Sequence, residues 1–190
     1  VNTLRFLLAA NFQHIKIDKI NVPSALNGTA LNRKTFYSDR EEAFLKASAP
    51  NSKVSLGIDY ATGPWGFKAQ FTSFGKILLM GFGDGESPSG DNPNYSGINP
   101  QVPADDGSGY VPEVFDYSGK VTTDVSASYK FSKKITLFIG ADNIFNVHPN
   151  LGVNQKAKWW YGDNESGGPW DSVQMGFNGR RLFTKLAFNF

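Results

Sequence analysis

Few residues in this 190-residue chain have the type and spacing to do chemistry. Its two histidines, His14 and His148, lie on distant segments with no carboxylate at metal-ligand spacing, so both are expected to be ordinary polar side chains. No Ser–His–Asp grouping and no glycine-rich phosphate cradle after a strand can be read, and cysteine is absent. The chain is therefore not expected to be an enzyme or to hold a cofactor. Asp84, Glu86, Asp91, Asp105 and Asp106 offer hard oxygen ligands of the kind calcium takes, but in no EF-hand order. A solvated acidic loop is the simpler expectation. Trp159, Trp160, Tyr161 and Trp170, with Lys156 and Lys158 close by, present flat rings and cations that could stack on or attract a ligand. The same rings would also serve in an aromatic belt or in packing their own loop.

The elements that carry these residues follow a period of two. Leu4, Phe6, Leu8, Ala10 and Phe12 alternate with Arg5, Leu7, Ala9 and Asn11, and Val54, Leu56, Ile58 and Tyr60 alternate with Lys53, Ser55, Gly57 and Asp59. The pattern recurs at residues 65–72, 121–131 and 135–142, with Phe138 as an exception, and again in the closing stretch Leu182, Leu186, Phe188, Phe190. Such alternation makes strands with one apolar and one polar face. Six strands are expected, at about 3–20, 53–61, 65–82, 118–131, 135–147 and 172–190. Phase changes near Phe74 and Gly179 suggest a bulge, or wall that stands clear of an apolar solvent.

Composition narrows the setting. With 40% hydrophobic, 14% aromatic and 19% charged residues, the charged share falls below the roughly 25% of ordinary globular domains. No apolar run approaches the ~20 residues of a transmembrane helix, whereas alternating strands of about 9–11 residues can cross a bilayer unseen by hydropathy. A net charge of +2 argues against a nucleic-acid partner. The connections at 61–64 and 132–134 are short, while those at 21–52, 83–117 and 148–171 are long. Strict alternation of short and long matches the periplasmic turns and extracellular loops of an outer-membrane barrel. In that frame Tyr60, Trp65, Phe67, Tyr129, Phe131, Phe188 and Phe190 form the inner aromatic girdle. Arg5, Asp59, Lys68, Gln70, Asp124 and Asp142, with Arg180 beside them, face the lumen. Residues 40–46 are expected to form a short helix bracing the first long loop, begun by Ser38 or Asp39.

A family resemblance rests on specific stretches. The run Ser126-Ala127-Ser128-Tyr129-Lys130-Phe131, then Ile135 to Ala141 and Asp142-Asn143-Ile144-Phe145-Asn146-Val147-His148-Pro149, resembles the late strands of TonB-dependent outer-membrane receptors. The closing FNGRRLFTKLAFNF resembles their last strand, with Phe190, Phe188 and Leu186 as the barrel-assembly terminus. The resemblance implies an all-β, antiparallel transmembrane β-barrel, of which these six strands are the C-terminal portion of 22, the plug domain being absent. It implies uptake of a scarce nutrient (an iron chelate, cobalamin or a glycan) through the outer membrane, energised by TonB through a missing N-terminal part. The implied partners are the lipid bilayer, the remainder of the barrel with its plug, the outer-membrane assembly machinery and a small-molecule substrate. A passive porin or adhesin barrel is the alternative, and a soluble β-sandwich binding module a more distant one.

Overall fold

Six alternating segments pair into one antiparallel sheet, in the computed structural model, which describes residues 2–29, 36–37, 39–80, 101–112, 114–151 and 174–189. The strands are β1 (Asn2–Phe12), β2 (Ser52–Thr62), β3 (Trp65–Phe74), β8 (Lys120–Lys130), β9 (Ile135–Asp142) and β10 (Arg181–Phe188), side by side in that order. Two small antiparallel pairs complete the strands: β4 (Ile77–Met80) with β7 (Val114–Tyr117), and β5 (Gln101–Pro103) with β6 (Tyr110–Pro112).

Residues directly opposite in a sheet share a face, so the register sorts the side chains. One cross-sheet row reads Leu4, Tyr60, Phe67, Ala127, Ile139, Thr184. The next reads Arg5, Asp59, Lys68, Ser126, Gly140, Phe183. One face of the sheet is thus apolar and the other largely polar. Among the described residues nothing covers the apolar face: Phe6 is 64%, Leu8 70% and Leu182 74% exposed. A contiguous greasy surface of this extent is rare on a water-soluble monomer.

Both short connections lie at one end of the sheet. Gly63 at φ +54° followed by Pro64 is the backbone of a type II′ hairpin, with glycine where a positive φ is required. At the next turn Phe131 N–H donates to Ile135 O over 3.0 Å, and Lys134 N–H to Ser132 Oγ over 3.1 Å. All three long connections leave from the opposite end.

Strand ends differ from the sequence expectation at five places. β1 stops at Phe12 rather than running to 20. Its neighbour begins at Ser52 after Pro50, and the last bonds between them are Gln13 N–H to Asn51 O and Gln13 Nε2 to Pro50 O, each 3.0 Å. Beyond that point Ile15, Ile17 and Ile20 have no strand to pair with among the described residues. The 65–82 segment is interrupted at Gly75–Lys76, just past the last β2–β3 bond, in which Gly75 N–H donates to Ser52 O at 2.8 Å in register with the ladder. Facing it, the 118–131 segment is cut at Ser118–Gly119; a side chain at Gly119 would meet Phe74 O at 3.0 Å. β9 ends at Asp142 because Asn143 takes a left-handed φ of +48°. β10 begins only at Arg181, after Gly179 at φ +68°, so residues 174–180 approach the strand as irregular chain.

Above the break, Ile77, Phe115 and Tyr117 are nearly inaccessible and pack with Leu79 into a small core. Helix α1 (Asp39–Ala47) lies against β4. Its i,i+4 pairs explain its formation: Glu42 with Lys46, and the Arg40 guanidinium 4.6 Å above the Phe44 ring. The Glu42 carboxylate raises the Lys46 pKa. Ser48 Oγ turns back to Phe44 O, and Pro50 forbids further helix. The expected helix therefore exists; Ser38 lies outside the described residues.

Candidate functional site

The polar face gathers residues from all six strands. Register places Arg5 opposite Asp59 and Asp59 opposite Lys68, whose Nζ lies 3.7 Å from Asp59 Oδ1. One row further along, Gln70 stands opposite Asp124, and Asp142 opposite Arg181, whose Nε donates to Asp142 Oδ2 over 2.8 Å. The structure therefore brings Arg5, Asp59, Lys68, Gln70, Asp124 and Asp142 onto one face. Their exposed pairs are individually weak, and what they provide is a hydrogen-bonding surface of mixed sign. A hollow of 240 Å³ lies among Arg5, Asp59, Lys68, Ser126, Ser128 and Phe138, smaller than the ~300–1,000 Å³ of a small-molecule pocket. A larger hollow, 680 Å³, opens along the apolar face over Ala69, Val125, Ala127 and Ala141, where almost no polar group can orient a ligand.

At the end of the sheet away from the short turns, the polar face closes in a tightly bonded knot. Asn143 bulges out of β9, and its N–H donates to Asp124 Oδ1 at 2.7 Å while the next N–H, of Ile144, returns to Thr123 O at 2.8 Å. A side-chain carboxylate thus replaces the backbone acceptor that the bulge removes. The Asn143 amide then bonds both polar groups of Val147, donating to its carbonyl at 2.7 Å and accepting its N–H at 2.9 Å. Asn146, also left-handed at φ +56°, accepts Arg180 N–H at 2.9 Å. A Cβ at Gly179 would strike that same Asn146 oxygen, so only glycine fits. His148 Nδ1 lies 3.1 Å from Phe177 O, and Arg180 Nη1 reaches Ile144 O at 3.4 Å. The two roots of the third long connection are stapled together here.

A second fastening was not foreseen from the sequence. Gln174 is buried, and its Nε2 is within 2.6 Å of Gly75 O, 3.2 Å of Tyr117 O and 3.1 Å of Ser118 O. These carbonyls are freed where the two strand pairs are interrupted, and one amide serves them. Nothing in the local sequence around Gln174 signals this role, because its partners lie far away in the chain.

On the apolar face near the short turns, aromatic rings form a continuous row. Tyr60 and Phe67 are 6.4 Å apart, Trp65 and Phe67 5.9 Å, Trp65 and Tyr129 4.6 Å, and Tyr129 and Phe131 5.0 Å. Phe188 and Leu186 are on the same face of β10, opposite Ile135 and Leu137. Phe190, Trp159, Trp160, Tyr161 and Trp170 lie outside the described residues, as do Asp84, Glu86 and Asp91. Asp105 and Asp106 are exposed in the β5–β6 turn, where Asp106 Oδ1 accepts Ser108 N–H at 2.9 Å. Hydrogen bonding from the Ser108 side chain, and then from its N–H, holds the Asp106 carboxyl below its ordinary pKa. Among the described residues no three His, Asp or Glu side chains converge as metal ligands.

Comparison with known proteins supports these observations. The family described as TonB dependent receptor-like, beta-barrel, matches residues 3–144, which span β1 to β9 and the Asn143 bulge. No curated protein sequence matches the chain. A solved structure named "Copper transporter OprC" aligns with a TM-score of 0.40 and 16% identity, over 74% of this chain. The chain spans 17% of that protein's length. With the family match covering most of its length, and with a sheet of one polar and one uncovered apolar face, the chain belongs to the TonB-dependent receptor β-barrel family.

Proposed function

We propose that this chain is wall and extracellular loop of an outer-membrane receptor that imports a scarce nutrient, an iron chelate, cobalamin or a glycan, with energy delivered through TonB. The observation that carries the reading is the six-stranded sheet itself, uncovered on its apolar face among the described residues and with five of its strands, β1 to β9 in chain order, lying within the family match. In the membrane that face meets lipid, and the row from Tyr60 to Phe131 sits at the inner interface. Arg5, Asp59, Lys68, Gln70, Asp124 and Asp142 face the lumen, where a plug domain supplied by the rest of the polypeptide would meet them. Among the described residues β1 and β10 each keep one side without a partner strand, and backbone groups cannot stay unpaired in hydrocarbon. Further strands of the same barrel would fill both edges, bringing the total toward 22. Trp159, Trp160, Tyr161 and Trp170 are the proposed ligand contacts on the cell exterior, and the outer-membrane assembly machinery would recognise the closing strand with Phe188 and Phe190.

A passive channel or adhesin would use the same wall. The two are separated by nutrient uptake through the full-length protein in cells with and without TonB. Uptake that stops when TonB is removed supports the receptor; uptake indifferent to TonB replaces it with the channel.

A further inference from the structure

In β10, Phe183 breaks the alternation, since it lies on the polar face beside Arg181 and Lys185. Its ring lies over Gly140 of β9: a Cβ built at Gly140 would stand 2.5 Å from Phe183 Cζ and 2.9 Å from Cε1. Three lateral pairs on this face thus join β10 to β9. They are Arg181 with Asp142, Phe183 with Gly140, and Lys185 with Phe138, where Nζ lies 5.9 Å from the ring centroid.

The apolar face chooses the register only weakly, since most of its pairs stay apolar when shifted. A one-residue slip would turn every side chain over and is forbidden by the pattern. A two-residue slip keeps each side chain on its face. In one direction Leu186 would move from Leu137 to Ile139 and Phe188 from Ile135 to Leu137, apolar against apolar at both, and only Leu182, passing from Ala141 to Asn143, would meet a polar residue. The polar face is not indifferent. That slip would set Phe183 against Asp142 and Lys185 against Gly140, while the opposite slip would set Phe183 against Phe138 and Arg181 against Gly140. Each loses the ion pair and leaves the ring without the one position that lacks a side chain. An aromatic laid across a glycine on the neighbouring strand is a recognised way to pin register.

We propose that the flat packing of Phe183 on Gly140, reinforced by Arg181–Asp142, selects the register in which β10 joins β9 as the barrel assembles. Phe183 and Gly140 are therefore positioning residues for assembly rather than ligand contacts. The inference stands whatever the receptor transports.

Engineered cysteines in the full-length receptor test it, because this chain has none of its own. Leu186→Cys paired with Leu137→Cys reports the native register. Leu186→Cys with Ile139→Cys, or with Ile135→Cys, reports the two slips, since Cα atoms more than about 7 Å apart do not bridge. The parent and Phe183→Tyr, which keeps the ring, should crosslink only in the native pair. Phe183→Leu should raise the slipped-to-native ratio about fivefold, the upper scale of a single cross-strand pair. Arg181→Gln should act in the same direction and decides the matter if Phe183→Leu does not assemble. Native crosslinks alone, at parental yield in whichever of these variants assembles, would overturn the proposal.

Discussion

Asn143 is a centre of bonding at the end of the sheet away from the short turns. It is 8% exposed, left-handed, and bonded to both polar groups of Val147. Asn143→Ala removes two buried hydrogen bonds at about 1 kcal/mol each and puts a Cβ-bearing residue without a local partner into a left-handed turn, a loss of roughly 2–4 kcal/mol. Asn143→Gly keeps the turn and should lose less. Thermal unfolding of the receptor in detergent, with the two variants side by side, checks the order; equal losses would show that φ is irrelevant there. Asp106 makes a pH prediction at the same scale. Its folded pKa lies below the unfolded value, so the stabilisation of the β5–β6 turn is complete above the ordinary carboxylate pKa of about 3.9 and disappears as pH falls through the folded value. Amide exchange at Ser108 should accelerate over that range relative to neighbouring amides, and Asp106→Asn should abolish the extra acceleration.

The strands make their prediction through their two faces. Ala127 and Ser126 are neighbours in β8 on opposite sides of the sheet. Ala127→Arg puts a charge against hydrocarbon and should cost about 2–4 kcal/mol if the position is near the bilayer midplane, whereas Ser126→Arg joins other charged groups and should assemble normally. Equal membrane levels of the two variants would contradict the lipid-facing assignment. The closing strand yields a related expectation: removing Phe190 from the full-length receptor should lower insertion, and normal insertion of that truncation would dismiss its assembly role. At this scale the alternation was readable, because period two follows directly from strand geometry. The strand ends were less so. Ile15 and Ile17 continue a period of two, yet β1 ends at Phe12 since among the described residues its neighbour does not extend beyond Ser52. Likewise Phe183 is invisible as a determinant until Gly140 is seen beneath it.

At the scale of the whole molecule, an uncovered apolar face and two open edges predict that the isolated chain aggregates in water without detergent. A monodisperse soluble monomer in light scattering would remove the membrane reading altogether. Trp159→Ala with Trp160→Ala in the full-length receptor should reduce nutrient uptake while leaving its membrane level unchanged. Unchanged uptake would return those rings to belt or loop packing. The family, the two-faced wall and the alternation of short and long connections could be argued from residue order alone, because face pattern and turn chemistry are local properties of the chain. The polar residues Arg5, Asp59, Lys68, Gln70, Asp124 and Asp142 could be named for the same reason. Which of them meet could not: Asp124 capping the Asn143 bulge, Gln174 serving three distant carbonyls and Phe183 lying on Gly140 each join segments far apart in sequence. Such partnerships exist only once the strands take a common register, and that register is a property of the sheet rather than of any one strand.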